Sequence, residues 1–216
     1  MMRSCGSTRN ATRRRATRGA VLAVGMALVA GCTLLSPRHD PSRFYTLSAR
    51  LPAALAPAGR AAPLSVTVGP VTLPAYLDRN EVAVRVSPSE LRYALAERWA
   101  EPLVQNVTRV LVEDLGNALA SDRVASVTTA PTVTPDFFVE VVIVRFEADV
   151  AGGATLTARW AVRDTGRKIL RIRQSQHARR ATAATTEGGV DAMSAALGDL
   201  AEEIAAVLTE LAAERR

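Results

Sequence analysis

The chain has 216 residues, 22% charged and 48% apolar, proportions that suit one ordinary globular domain. The formal net charge of +6 invites a nucleic-acid partner. Six of the 27 basic residues (Arg3, Arg9, Arg13, Arg14, Arg15 and Arg18) fall before residue 32, leaving 21 against 21 acidic ones. From Cys32 onward the chain is formally neutral, and no nucleic-acid partner is expected.

The amino-terminal arginines precede an apolar run, Ala20 to Ala30, that ends in Gly31-Cys32. A charged region, a short apolar region and small residues at a cleavage point make a secretory signal over 1–31. The run is far shorter than the roughly 20 residues a membrane-spanning helix needs. Leu28-Val29-Ala30-Gly31-Cys32 resembles the lipobox of bacterial lipoproteins, where cleavage between Gly31 and Cys32 frees a cysteine whose thiol carries a diacylglyceryl group. Cys5 lies in the discarded part, so the body has no thiol for a disulfide, a zinc site or a nucleophile. Thr33 follows the cysteine. By the enterobacterial sorting rule this favours the outer membrane, with the protein facing the periplasm.

Residues 32–63 read as a lipidated tether broken by Pro37 and Pro41, a first strand over Arg43 to Ala49, and an Ala/Pro-rich connector. The main body, 64–216, takes that strand as its own. Leu64 to Val71 alternates as a half-buried strand. Glu81 to Val86 and Glu90 to Ala96 form a hairpin across Ser87-Pro88-Ser89. The spacing of Trp99, Leu103, Val107, Leu111, Leu115 and Leu119 predicts a helix from Arg98 to Ala120, with Trp99 a structural anchor on its apolar stripe. A short strand follows near Val124. Val142, Val144, Phe146 and Ala148 are expected to face one way, and Leu156, Ala158, Trp160 and Val162 alternate after a Gly152-Gly153 turn. Lys168 to Gln174 is the next strand, and Val190 to Ala213 a second amphipathic helix. The expectation is an α/β single domain, a mixed sheet with two main amphipathic helices packed on it.

Catalytic signals are sparse. Phosphate-loop, His-Glu-x-x-His and Gly-x-Ser-x-Gly patterns do not occur, and His39 and His177 are the only histidines. His177 ends a strand with no visible partners for a triad. Neither a metal nor a cofactor is expected.

Val68-Gly69-Pro70-Val71-Thr72-Leu73-Pro74-Ala75-Tyr76-Leu77-Asp78-Arg79 and Arg98-Trp99-Ala100-Glu101-Pro102-Leu103 resemble the PqiC/YmbA family, the auxiliary lipoprotein component of ABC-type transport. Phe44-Tyr45-Thr46-Leu47 and the closing helix agree in order; Asn80, where many relatives have Pro, departs. The resemblance implies a non-catalytic subunit of an MCE-type (mammalian cell entry) system. Its partner would be an MCE-domain protein of the PqiB type, its membrane contact the amino-terminal lipid, and phospholipid at most an indirect cargo. It also implies an anticodon-binding-like or TolB N-terminal-like fold. Tyr76 and Arg79 in the motif, and Arg159, Arg171 and Arg173 in the basic stretch to Arg180, are the candidate partner contacts. Period-two geometry is expected to gather the last three on one outward face. A competing reading of that face is solvated surface partly neutralised by the Glu-rich last helix. Two other functions compete: a periplasmic lipid-binding carrier, which needs a lined cavity where no spare apolar surface is expected, and an envelope hydrolase.

Overall fold

Strand β6 is the member around which the sheet is built, and the reason is its length. In the computed structural model, which describes residues 41–52, 63–129 and 134–215, it runs from Phe137 to Asp149. The signal segment, Gly31, Cys32 and most of the connector lie outside the described residues, and residues 42–216 form one compact unit. Eight strands make a single mixed sheet: β1 (Arg43–Tyr45), β2 (Val66–Thr72), β3 (Glu81–Ser87), β4 (Glu90–Trp99), β5 (Val124–Ser126), β6, β7 (Ala154–Arg163) and β8 (Ile169–Arg179). Two helices complete it, α1 (Leu103–Leu119) and α2 (Thr186–Glu214). The α/β class and the two-helix layer are therefore as expected.

One edge of β6 pairs antiparallel with β7 along nearly its whole length, and β8 extends that meander. The other edge is shared. Its first half takes β2 in parallel (Val66↔Phe137 to Thr72↔Val142), and its end takes β3 (Val84↔Ala148). The sheet thus forks, with β5 beside β2 and the β3–β4–β1 ribbon on the other branch. β2 is covered more completely than a half-buried strand: Val66, Thr67 and Val68 are all buried. Both its edges carry parallel neighbours, β5 and β6.

The helices close one face of the sheet. Leu103, Val107, Val110, Leu111, Leu115 and Leu119 of α1 are buried, as are Met193, Leu197, Leu200, Ile204, Val207, Leu208 and Leu211 of α2. These are the stripes that the 3.6-residue period marks out. α1, however, begins five residues later than its period suggests. Pro102 is the N-cap and keeps Glu101 before it out of the α conformation, so the helix does not start earlier, and β4 runs to Trp99. Trp99 therefore ends a strand instead of opening a helix, and is 6% exposed. α2 begins earlier than expected because the Thr185 hydroxyl caps the Gly188 amide at 3.1 Å. Gly189 lets the helix approach the sheet: a Cβ there would lie 2.8 Å from that of Ala148.

A bulge corrects the expected phase of β6. Ile143 pairs with Ala158 but Arg145 with Thr157, so Val144 is an extra residue and the strand changes face around it. Ile143 is buried, while Val142 and Val144 are 48% and 44% exposed. Beyond the bulge Phe146 and Ala148 face the core as expected.

Candidate functional site

The motif Val68 to Arg79 builds two features, and the first lies on the sheet face away from the helices. After β2, Pro74 starts a single 3-10 turn, Ala75–Leu77, that swings Tyr76 over the end of β6. There the bulge has turned Arg145 and Glu147 away from the helix layer. Glu147 is a buried carboxylate at 1% exposure. Its Oε1 accepts from Arg85 Nε at 2.9 Å and Arg145 Nε at 2.8 Å, and its Oε2 from the Tyr76 hydroxyl at 2.7 Å. Burial, then the hydrogen bond and charge of Glu147, push the Tyr76 hydroxyl far above the ordinary phenol range, so Tyr76 stays a donor at physiological pH. The Tyr93 hydroxyl in turn donates to the Tyr76 carbonyl at 3.1 Å. Arg79 lies with its guanidinium carbon 4.4 Å from the Tyr93 ring centre and pairs with Glu81 at 3.4 Å. The turn is thereby fixed by one carboxylate, and it presents Arg79 to solvent.

The second feature is a cleft of about 710 Å3 where the carboxyl ends of β2 and β5 meet α1. Val68, Val71, Val104, Val112 and Val127 are the branched apolar side chains of its lining. Gly69 makes the close approach possible: its φ is +117°, and a Cβ there would stand 3.2 Å from Val127 Cγ2. This corrects the expectation that the body has no spare apolar surface. Two amphipathic helices covering one sheet face do not cover the strand ends, and Val104, Thr108 and Val112 of α1 stay only partly buried beside them.

The residues that lead in from the amino terminus are part of the fold. β1 pairs in parallel with the last residues of β4 (Arg43↔Glu97 to Tyr45↔Trp99), and it ends at Tyr45, earlier than the expected Ala49. The chain leaves the sheet because one face of α1 offers it side-chain partners instead. Asn106 Oδ1 accepts from the Leu47 amide at 3.1 Å, Asp114 Oδ1 from the amides of Arg50 and Leu51 at 2.8 Å each, and Asn117 Nδ2 donates to the Leu51 carbonyl at 3.0 Å. Ser194 on α2 accepts from the Ser48 amide at 3.3 Å. Leu47, at 1% exposure, is thereby pressed into the core. Burial raises the Asp114 carboxyl above its ordinary 3.8, although the Leu51 and Arg50 amides pull the other way. Its native form therefore favours the proton. Its contribution to stability is greatest below pH 3.8 and falls as pH rises through the raised native value. Asp114→Ala should cost about 1–3 kcal/mol, two partly buried amides losing their acceptor. Asp114→Asn keeps an acceptor and loses the charge, so it should be at least as stable as wild type at neutral pH, without the gain on acidification towards pH 3.8. Urea unfolding across the range from pH 7.5 down to 3.8 checks both. An Ala variant as stable as wild type would show that the arm is not held this way.

The sequence profile of the family described as ABC-type transport auxiliary lipoprotein component matches residues 45–205. The chain belongs to this family. The match begins at Tyr45, inside the docked arm, and takes in the turn, the cleft and most of α2. Among solved structures, protein XCC0632 from Xanthomonas campestris is 19% identical with a TM-score of 0.64, over 81% of this chain and 100% of that one. A second, the crystal structure of an uncharacterized protein, is also 19% identical, with a TM-score of 0.63 over 77% and 98%. These likenesses show a shared fold. No protein of curated function matches.

In this auxiliary lipoprotein the predicted contact residues do not form one surface. Directly opposed residues on antiparallel strands share a face, and Arg173 opposes Trp160 while Arg171 opposes Val162. Arg171 and Arg173 thus face the helix layer. They pair there with Glu210 at 3.6 Å and Glu203 at 3.7 Å. Arg159 opposes Gln174 on the other face and donates to it at 3.1 Å. The expected single basic face is corrected accordingly. Leu170 and Ile172 suggested a core-facing side, but β8 is a sheet edge and Ile172 is 64% exposed. The glutamates of α2, spaced along the helix, draw the arginines inward instead. Each such exposed pair is worth under about 1 kcal/mol. His177 Nε2 lies 3.2 Å from the same Glu203. Among the described residues no group of three or more His, Cys, Asp and Glu could hold a metal, and no helix is long and apolar enough to cross a membrane.

Sequence reading missed Glu147, Asn106 and Asp114. The last two carried a signal: polar residues eight apart on a helix stripe that is otherwise apolar. Glu147 carried none, since before the bulge is known it is one more polar residue in an alternating strand.

Proposed function

We propose that this protein is a non-catalytic, lipid-anchored docking subunit of an MCE-type ABC transport system, held at the outer membrane and facing the periplasm. The observation that carries the reading is the family match over residues 45–205, which makes the chain an auxiliary component of ABC-type transport. The lipobox Leu28 to Cys32 supports acylation of Cys32 after cleavage at Gly31, and Thr33 supports the outer membrane. From Cys32 to Ser42 the chain spans ten residue steps, at most about 36 Å, so the anchor keeps the body close to a bilayer.

The partner in this reading is an MCE-domain protein of the PqiB type. Arg79 with Tyr93, and Arg159 on the open sheet face, are the groups proposed to meet it. Tyr76 positions the turn through Glu147, and Arg171 and Arg173 tie β8 to α2. Contacts from exposed charges mainly speed association and weaken with salt. Full-length protein should therefore capture an MCE-domain protein from the native envelope, and intact mass should show lipid on Cys32. Arg79→Ala combined with Arg159→Gln should lower capture at low ionic strength and flatten its salt dependence. Recovery of envelope proteins without any MCE domain, or a mature mass without lipid, would overturn the reading.

A further inference from the structure

The cleft between α1 and the ends of β2 and β5 has a volume in the range of small-molecule sites, about 710 Å3. Its chemistry is unusual for a site that receives a polar ligand or a peptide, because most of the polar side chains lining it already have partners in the fold, Gln105 alone of these, among the described residues, being without a side-chain bond. Thr108 Oγ1 donates to the Val104 carbonyl at 2.7 Å. Ser126 Oγ is 2.8 Å from the hydroxyls of both Thr128 and Thr129. Arg109 and Glu101, the two charged residues of the lining, pair at 3.1 Å. What remains facing the cleft is chiefly valine, with the exposed amide of Gln105 at one side of the lining.

A peptide laid against such walls would leave its own amides and carbonyls unpaired, and burying them so is unfavourable. Strand addition offers little relief, since β5 at the end of its branch is three residues long. An alkyl chain carries no hydrogen-bonding groups and meets no such penalty. A free fatty acid would bring a carboxylate, but Arg109 is already neutralised by Glu101. Val127 in its lining is 46% exposed, so the cleft meets solvent there and a polar head joined to the chain can stay in water. We propose that this cleft holds one acyl chain of a phospholipid, with the head group outside. The site is separate from the Arg79 and Arg159 contacts and does not depend on the docking reading.

The test uses the full-length, lipid-anchored protein reconstituted into vesicles of phosphatidylethanolamine and phosphatidylglycerol, with no transporter present. The vesicles contain a phosphatidylcholine carrying a photoactivatable diazirine midway along one acyl chain. After irradiation, mass spectrometry should place the label on Val104, Thr108 or Val112 of α1 and on Val127. Thr108→Trp, which fills the cleft from the helix, should lower this labelling by about tenfold, the factor expected when roughly two methylenes lose apolar contact. Should Thr108→Trp fail to fold, Val127→Asp puts a charge at the exposed mouth and should have the same effect. Label confined to the amino-terminal anchor region, or cleft label undiminished in the folded variants, would overturn the proposal. Either result leaves envelope capture of an MCE-domain protein unaffected, so the two readings fail separately.

Discussion

Glu147→Ala is expected to destabilise the domain by about 3–4 kcal/mol, because removing one member of a buried ion pair leaves its partners uncompensated. Arg85 has only 19% of its side chain exposed and loses its carboxylate outright. Arg145 is 41% exposed and is partly rescued by water, which keeps the effect in the lower part of the range for buried pairs. Glu147→Gln retains an acceptor for Tyr76 and should cost about half as much. Tyr76→Phe removes one donor and should cost about 1 kcal/mol. The tyrosine adds an alkaline signature. Its native pKa is raised above the ordinary 10.0, so its contribution is complete below that value and is lost as pH rises through the native one. Tyr76→Phe should remove that alkaline loss. Urea unfolding between pH 7 and 11 measures all three variants, and a Glu147→Ala variant within about 1 kcal/mol of wild type would show that the carboxylate does not fix the turn.

Trp99→Ala should cost about 3–5 kcal/mol, the range for truncating a buried aromatic side chain. In a domain of this size that corresponds to a fall in Tm of about 6–20 °C. The strand-end position makes the loss spread. Trp99 opposes Tyr45 of β1, its amide donates to the Asn80 carbonyl at 2.7 Å, and the next amide, of Ala100, donates to the Tyr45 carbonyl at 2.8 Å. A cavity at Trp99 therefore loosens the first strand as well as the end of β4. Differential scanning calorimetry and capture of the MCE-domain partner separate the readings. A variant with unchanged Tm but no capture would move Trp99 from the core to an interface.

Much of the architecture could be read without coordinates, and the reason is local. The apolar stripes of α1 and α2 follow from a 3.6-residue period, and the inward row Leu156, Ala158, Trp160 and Val162 from a period of two. Both depend only on residues close together in the chain. The order of the motifs from Tyr45 to the last helix was likewise enough to indicate the family that the profile match assigns.

Periodicity says which residues share a face, but it does not say which face is covered. In β8 the alternation of Leu170 and Ile172 with Arg171 and Arg173 was correct, yet the arginines took the inner side, because Glu203 and Glu210 of α2 wait there. Those partners are more than 25 residues away and are brought near only when α2 packs. In β6 one extra residue at Val144 reverses the phase, and which strand bulges depends on the registers of β2, β3 and β7 together. Near Trp99 a local rule did exist, the restriction Pro102 places on Glu101, but an apolar period running through the same stretch masked it. The composition and charge balance of the chain, its family motifs, its α/β class and its two stripes thus belong to the sequence. The buried Glu147, the docked arm and the valine-lined cleft belong to the tertiary structure, since each is made of residues that meet only after distant elements have packed.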